Sequence, residues 1–376
     1  GNHWENVTEI LGFKRHSGEG KTMGLAPYGE FDSDILPSHF NEDGTPNIYK
    51  FNCYFADKGW ILGHGKKVEP LSKEGKNLAH TLQKYYNDFL SKKAMEMTAH
   101  NGCKSFCLAG GVGLNCTGNG YLSNFDFVDH IFIQPASSDS GTSLGAAILG
   151  SMSQGVYFKN NFNHAYWGSY YNDEEISQSL KELPEDNQIR DLKCTNYGSM
   201  EKASERVAEL LFQDKIVCNF QGRAEIGPRA LGNRSILANP CKKENLDRVN
   251  KIKGREDWRP LGPSILEEDY FEVVDSKHHS PYMLMACQVK DEYKKKIPAV
   301  VHVDGSCRPQ TVYRSTNPFY HNIILEFRKR TGIPVVLNTS YNMYYEPIVN
   351  NPKDAMKSFI ELGADALCIG NFVIEK

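Results

Sequence analysis

The chain has 376 residues, 40% of them hydrophobic and 24% charged, with a formal net charge of −3. That length exceeds a usual single domain, and the near-neutral balance excludes a general nucleic-acid or membrane binder. No apolar run is long enough to cross a bilayer, and the opening GNHWENVTEI is no signal peptide.

The ten cysteines are scattered without a common zinc spacing, and Cys107, Cys218 and Cys368 lie in apolar strand-like runs. They read as buried thiols of a reducing, cytoplasmic protein.

Residues 18–30, GEGKTMGLAPYGE, carry four glycines and Lys21 but lack the glycine spacing of a phosphate-binding P-loop. A structural turn and a ligand loop both fit. Short strands and loops are expected over 31–68. From 77 to 99, Leu78, Leu82, Tyr85, Tyr86, Phe89, Leu90, Ala94 and Met97 recur at helical spacing, so a long amphipathic helix is expected.

A strand at 105–109 then meets the turn Gly110-Gly111-Val112-Gly113 and a helix from Leu114. Such a junction offers free N–H groups and a positive dipole end to an anion, with Asn115 and Asn119 nearby; glycines needed only for tight packing are the alternative. A second strand, loop and helix follow at 130–134, 135–145 and 146 onward. Asp139, in that loop, suits a metal or nucleotide sugar, or equally a helix N-cap. Two such units imply an α/β domain. The polar stretch 160–195 is taken as the boundary, giving domains 1–194 and 195–376.

The second half opens with a helix at 201–213 and a buried strand at 216–220. Next comes FQGRAEIGPRALGNRSIL (220–237), with Arg223, Arg229 and Arg234 among glycines, then VNKIKGREDWRPLGPSIL (249–266), with Lys251, Lys253, Arg255 and Arg259. Guanidinium forks match phosphate and carboxylate oxygens, so an anionic, phosphate-bearing substrate is expected; a solvated basic surface is the alternative. Arg308 and Gln310 follow in VVHVDGSCRPQTV. A helix at Pro318–Thr331 leads to a buried strand at 333–342 that ends in Asn338, Thr339 and Ser340, polar groups suited to a ligand. A helix at Pro352–Leu362 and one last strand at 366–374 complete a second α/β domain.

Seven segments, in order and over nearly the whole chain, resemble the ATP-dependent O-carbamoyltransferases of the antibiotic and nodulation-factor type. They are GEGKTMGLAPYG, LAGGVGLNCTGNG, IQPASSDSGTSLGAA, FQGRAEIGPRALGNRSIL, VNKIKGREDWRPLGPSIL, VDGSCRPQTV and LNTSYNMYYEPIV. The resemblance implies an α/β fold: the C-terminal portion of an actin/sugar-kinase/Hsp70-like transfer domain over 1–194, then a YrdC-like domain over 195–376. It implies that the second domain makes carbamoyl-adenylate and pyrophosphate from carbamoyl phosphate and ATP. The first then passes the carbamoyl group to a hydroxyl of a small-molecule acceptor.

Arg229, Arg234, Lys251 and Arg255 would be the catalytic cations. Arg223, Ser235, Arg259, Arg308, Asn338, Ser340, Gly110, Gly111 and Asn115 would bind substrate and nucleotide, and Asp139 the metal. ATP, Mg2+ and Fe2+ are the implied cofactors, and a homodimer is an option. The family's His-His-x-x-His-Ala motif is absent, so the iron site is incomplete and the chain reads as beginning inside a larger protein. Tyr344-Tyr345 replaces a glycine-containing turn. The competing expectations are a tRNA threonylcarbamoylation-type enzyme and a non-catalytic nucleotide-binding remnant.

Overall fold

The computed structural model describes all residues except 38–40, 42–44, 61–62, 64, 158–161 and 183–191. Its contacts divide the chain into two compact units, Gly1–Ile133 and Gln134–Lys376, and both mix helices with strands.

In the first unit the expected long helix runs over Lys73–Asn101. Ser72 caps it by accepting the Gly75 N–H, and Gly102 ends it in the left-handed conformation. Parallel strands β1 (Ser105–Leu108) and β2 (His130–Ile133) follow the expected order. Two expectations change. The glycine-rich segment is no loop: it forms a helix at Glu19–Leu25 and a 3-10 turn at Ala26–Tyr28. Gly29 then packs so closely on the long helix that a Cβ would lie 2.1 Å from the Lys76 carbonyl oxygen. Within 31–68 a helix forms at Ile48–Asp57, because Asn47 caps it and Phe51 and Phe55, one turn apart, are both buried.

The second unit is built on an eight-stranded mixed sheet. Its strands are β3 (Lys193–Asn196), β4 (Val217–Phe220), β5 (Arg234–Ala238), β6 (Gly262–Leu266), β10 (Gln310–Val312), β11 (Val335–Ser340), β12 (Ala366–Ile369) and β13 (Phe372–Glu375). Their order is β10-β6-β11-β5-β4-β12-β13-β3. A small antiparallel sheet holds β7 (Val274–Asp275), β8 (Cys287–Val289) and β9 (Ser306–Cys307). Side chains alternate along the central strands, so each face carries its own core. Val217, Leu237, Val336 and Cys368 pack with the helices Met200–Phe212 and Pro318–Thr331. Cys218, Ile236, Leu337 and Ile369 pack on the other face with Val249, Tyr270 and Phe359.

The expected single last strand is two, turned at Gly370 (φ 55). The expected boundary at residue 194 falls inside the second unit. The backbone of 165–169 is stitched to the arginine loop by Ile226 N–H to Ala165 O, Gly168 N–H to Ala224 O and Ala224 N–H to Ser169 O, at 2.8 to 2.9 Å. The polar run 184–187 lies outside the described residues. Cys218 and Cys368 are buried thiols as expected, whereas Cys107 is exposed.

Candidate functional site

One end of the eight-stranded sheet gathers the polar residues. Strands β4, β11 and β12 finish there while β5, β6 and β10 begin, as the pairings Phe220–Arg234, Ser340–Ser235, Asn338–Gly262 and Gln310–Ser264 show. Beneath the loops lies a buried polar layer. Asn338 Nδ2 donates to Ser264 Oγ and Gln310 Oε1, both at 3.1 Å, and Gln310 Nε2 donates to Leu231 O at 2.8 Å. Asn338 is 1% exposed and its Oδ1 has no partner among the described residues. An orphaned acceptor in a buried network is costly unless a ligand or water completes it.

Above this layer sits a crowd of cations. Lys253 is buried, its ammonium donating to Ser340 O and, at 2.7 Å, to Asn342 O. Burial first, and then Arg255 and Arg259, hold its pKa well below the ordinary lysine range. Arg255 is fixed by Asn250 Oδ1 at 2.5 Å and Pro260 O at 3.1 Å. Burial, with Arg259 and Arg308 adding, brings its pKa down to about 9. Arg259 is lowered too, by burial, against the help of Glu256. Arg308 keeps a buried Nε with no partner among the described residues. Lys253, Arg255 and Arg259 are each disfavoured as cations by burial and by neighbouring guanidinium groups, with Glu346 opposing the shift at Lys253 and Glu256 at the two arginines.

The arginine stretch divides into parts with different work. Its last residues are strand, not loop. Arg234 is 0% exposed, its guanidinium 3.6 Å from the Phe220 ring and donating to Gln221 O at 2.6 Å and Asn233 O at 3.0 Å. Backbone carbonyls take its terminal nitrogens, while its buried Nε has no partner among the described residues. Ser235 Oγ likewise accepts the Gly232 N–H at 2.9 Å. Glu225, not singled out from the sequence, organises the loop. Its Oε1 accepts the N–H groups of Leu231 and Asn233 at 2.8 Å and of Arg234 at 3.2 Å. Burial pushes its carboxyl up, and the backbone donors oppose that shift. Arg229 is partly buried on this loop, and Arg223 is exposed, one nitrogen 3.0 Å from Gly168 O.

Lys251, expected to be catalytic, is exposed, and Lys253 takes the buried place. In VNKIKGRE the two lysines face opposite ways at the end of the helix Glu244–Ile252, and only that periodicity could have separated them. Ser340 does meet the cluster, through its contacts to Lys253.

In the first unit Gly110 (φ 82) and Gly111 border open space, as a ligand turn would. Asn115 is otherwise engaged. Its Oδ1 caps the helix Cys116–Ser123 through the Gly118 N–H, and its amide pairs with Gln83 at 3.1 and 3.2 Å. Asp139, in the second unit, is exposed at the start of a 3-10 turn, and among the described residues no group of three or more His, Cys, Asp and Glu is placed to hold a metal. A lone carboxylate does not fit an iron site.

Two family models match this chain, Carbamoyltransferase N-terminus over residues 1–148 and Carbamoyltransferase C-terminus over residues 208–376. The nodulation protein NolNO of Sinorhizobium fredii is 37% identical over 95% of this chain and 53% of its own length. The uncharacterized protein MJ1051 of Methanocaldococcus jannaschii is 32% identical over 100% of this chain and 72% of its own length. The chain thus spans between about half and three quarters of these relatives. Among solved structures, full-length HypF in its phosphate- and nucleotide-bound form is similar over 47% of this chain and 22% of that one, at 17% identity and a TM-score of 0.33.

Proposed function

The chain belongs to the carbamoyltransferase family, and from that premise we propose that its second unit activates carbamoyl phosphate with ATP. The observation that carries this reading is the cluster of the buried Lys253 with the partly buried Arg255, Arg259 and Arg308, whose Nε has no partner among the described residues. Carbamoyl phosphate supplies the missing negative charge. ATP supplies the second phosphate-bearing ligand at the same end of the sheet. Water releases phosphate from carbamoyl phosphate and leaves carbamate, whose oxygen attacks the α-phosphorus of ATP. The Pα–O bond to the β-phosphate breaks, pyrophosphate leaves, and carbamoyl-adenylate remains.

The cations hold both phosphates and stabilise the charge that develops as that bond breaks. Lys253, tied to Ser340 and Asn342, is a fixed donor rather than a flexible surface charge. Mg2+ would screen the ATP phosphates. Onward transfer to a hydroxyl acceptor is proposed for the longer proteins of the family, and no step here is routed through iron. The test is pyrophosphate release from ATP that depends on carbamoyl phosphate. A folded protein that releases none, and binds neither ligand, would refute the reading.

A further inference from the structure

Asn250 lies in the last turn of the helix Glu244–Ile252, where the cationic loop leaves it, and is 0% exposed. A polar side chain closed off from solvent has to find its partners within the protein. All of its partners belong to the loop that follows. Oδ1 accepts the Arg255 Nε–H at 2.5 Å, and Nδ2 donates to Asp257 O at 3.2 Å and Arg259 O at 3.0 Å. Its backbone oxygen accepts the Arg255 N–H at 3.1 Å.

The residue type follows from these partners. A guanidinium only donates and a carbonyl only accepts, so the side chain between them must offer both an oxygen and an N–H group. An amide does both. Aspartate, a common partner of a buried arginine, would set an oxygen against the carbonyls of 257 and 259 and would also neutralise the guanidinium.

The same preference recurs at Lys253. Its ammonium is held by Ser340 O, Asn342 O and, at 3.2 Å, Asn342 Oδ1, all neutral oxygens. Arg259, by contrast, has the carboxylate of Glu256 at 3.6 Å. Neutral acceptors fix where a cation sits and leave its charge for a ligand. Arg255 is held at two points, Nε by Asn250 and Nη2 by Pro260 O, and its Nη1 has no partner among the described residues. Asn250 itself cannot reach a ligand, because it is shut off from solvent and both ends of its amide are engaged.

We propose that Asn250 is a positioning residue of the cationic site: its amide sets the Arg255 guanidinium and the 255–259 loop for a phosphate-bearing anion without touching that anion. The inference rests on the proposed function for the place where the anion binds.

The test is a double-variant cycle on the full chain. Carbamoyl phosphate and inorganic phosphate are each titrated by calorimetry into the unaltered protein, Asn250→Ser, Arg255→Met and the double variant. Asn250→Ser should weaken anion binding about 10- to 100-fold, the loss expected of a charge-assisted contact. With Arg255 already replaced, the same change should weaken binding less than about twofold, because the two side chains act as one unit. Thermal unfolding should not show that dependence. The bonds to 257 and 259 are lost in both backgrounds, so Asn250→Ser should lower Tm in both.

A second readout needs no change at Asn250 and no ligand. The Nε–H signals of Arg255 and of the exposed Arg223 are assigned by NMR from their loss in Arg255→Lys and Arg223→Lys. The Arg255 proton should exchange with water at least about tenfold more slowly. An undiminished affinity in Asn250→Ser, a loss that is the same with and without Arg255, or equal exchange at the two arginines overturns the inference and leaves the proposed function in place. Inorganic phosphate bound as tightly as carbamoyl phosphate counts against the proposed function and leaves the inference in place. A chain that binds neither anion overturns both.

Discussion

Arg234 sits in the most motif-like stretch of the chain, yet its surroundings predict that replacing it harms the fold before it harms any chemistry. The variant is Arg234→Met, which keeps the stem and removes the guanidinium. Two firm bonds, to Gln221 O and Asn233 O, are lost from carbonyls that are buried beside it. Each costs about 1–3 kcal/mol when left unmade. The desolvated cation over Phe220 adds about 2 kcal/mol. Against these, burial lowers the Arg234 pKa from 12.5 to about 10, so the charged form is itself strained. At about 1.4 kcal/mol per tenfold, removing it returns about 3 kcal/mol. The net loss is about 3 kcal/mol, the centre of a range of about 1–5, and corresponds to a fall of roughly 6–12 °C in Tm for a unit of this size. Thermal unfolding followed by circular dichroism measures it. A variant that melts within about 2 °C of the parent and yet abolishes pyrophosphate release would refute the reasoning and return Arg234 to the catalytic set.

Arg308→Ala should weaken carbamoyl phosphate binding by about 10- to 100-fold, the loss expected of a charge-assisted contact. Lys251→Ala, on the exposed neighbour, should change it less than about twofold; calorimetric titration of both compares them directly, and equal losses would contradict the assignment of Lys253 to the cluster. Anion binding should also take up protons: the empty site depresses the Lys253 pKa, a phosphate restores the ammonium, and so affinity falls as pH rises between the depressed value and 10.5. Titration in buffers of different ionisation enthalpy reads that uptake, and zero protons taken up at every pH below 10.5 would count against it. Glu225→Ala strands three backbone donors and should lower stability by about 3 kcal/mol, while Glu225→Gln, which keeps the accepting oxygen, should lose less than about half of that. Denaturant unfolding of the two variants decides whether that oxygen organises the loop.

Much of the framework was legible because it depends on local periodicity. The helix Lys73–Asn101 and the strands β1, β4 and β11 declare themselves by apolar spacing, and Pro318 and Pro352 mark the starts of their helices. What failed is instructive. Arg234-Ser235 and Gly262-Pro263-Ser264 sit in central strands, β5 and β6, although arginine, glycine, proline and serine argue for loop. Their polarity is tolerated because specific distant partners satisfy it: Phe220 and the carbonyls of 221 and 233 for Arg234, Gln310 and Asn338 for Ser264. Such partners lie far off in sequence and leave no local trace.

The same limit explains the site. Sequence places eleven residues of cationic loop between 249 and 259 and shows that they suit an anion, but charge alone does not say which cation is buried. Lys251 and Lys253 differ only in the direction they leave the end of one helix. One meets solvent and the other meets Ser340 and Asn342 from the far end of β11. Tyr344 joins the same arrangement. Its N–H donates to Lys253 O at 3.2 Å, and its ring lies so close to Gly254 (φ 63) that a Cβ there would come within 2.9 Å of it. The ring packs on that glycine from its solvent side, Tyr344 itself being 68% exposed. The bulky turn and the glycine beneath it therefore belong together, and the loop that carries the buried lysine is held from both sides.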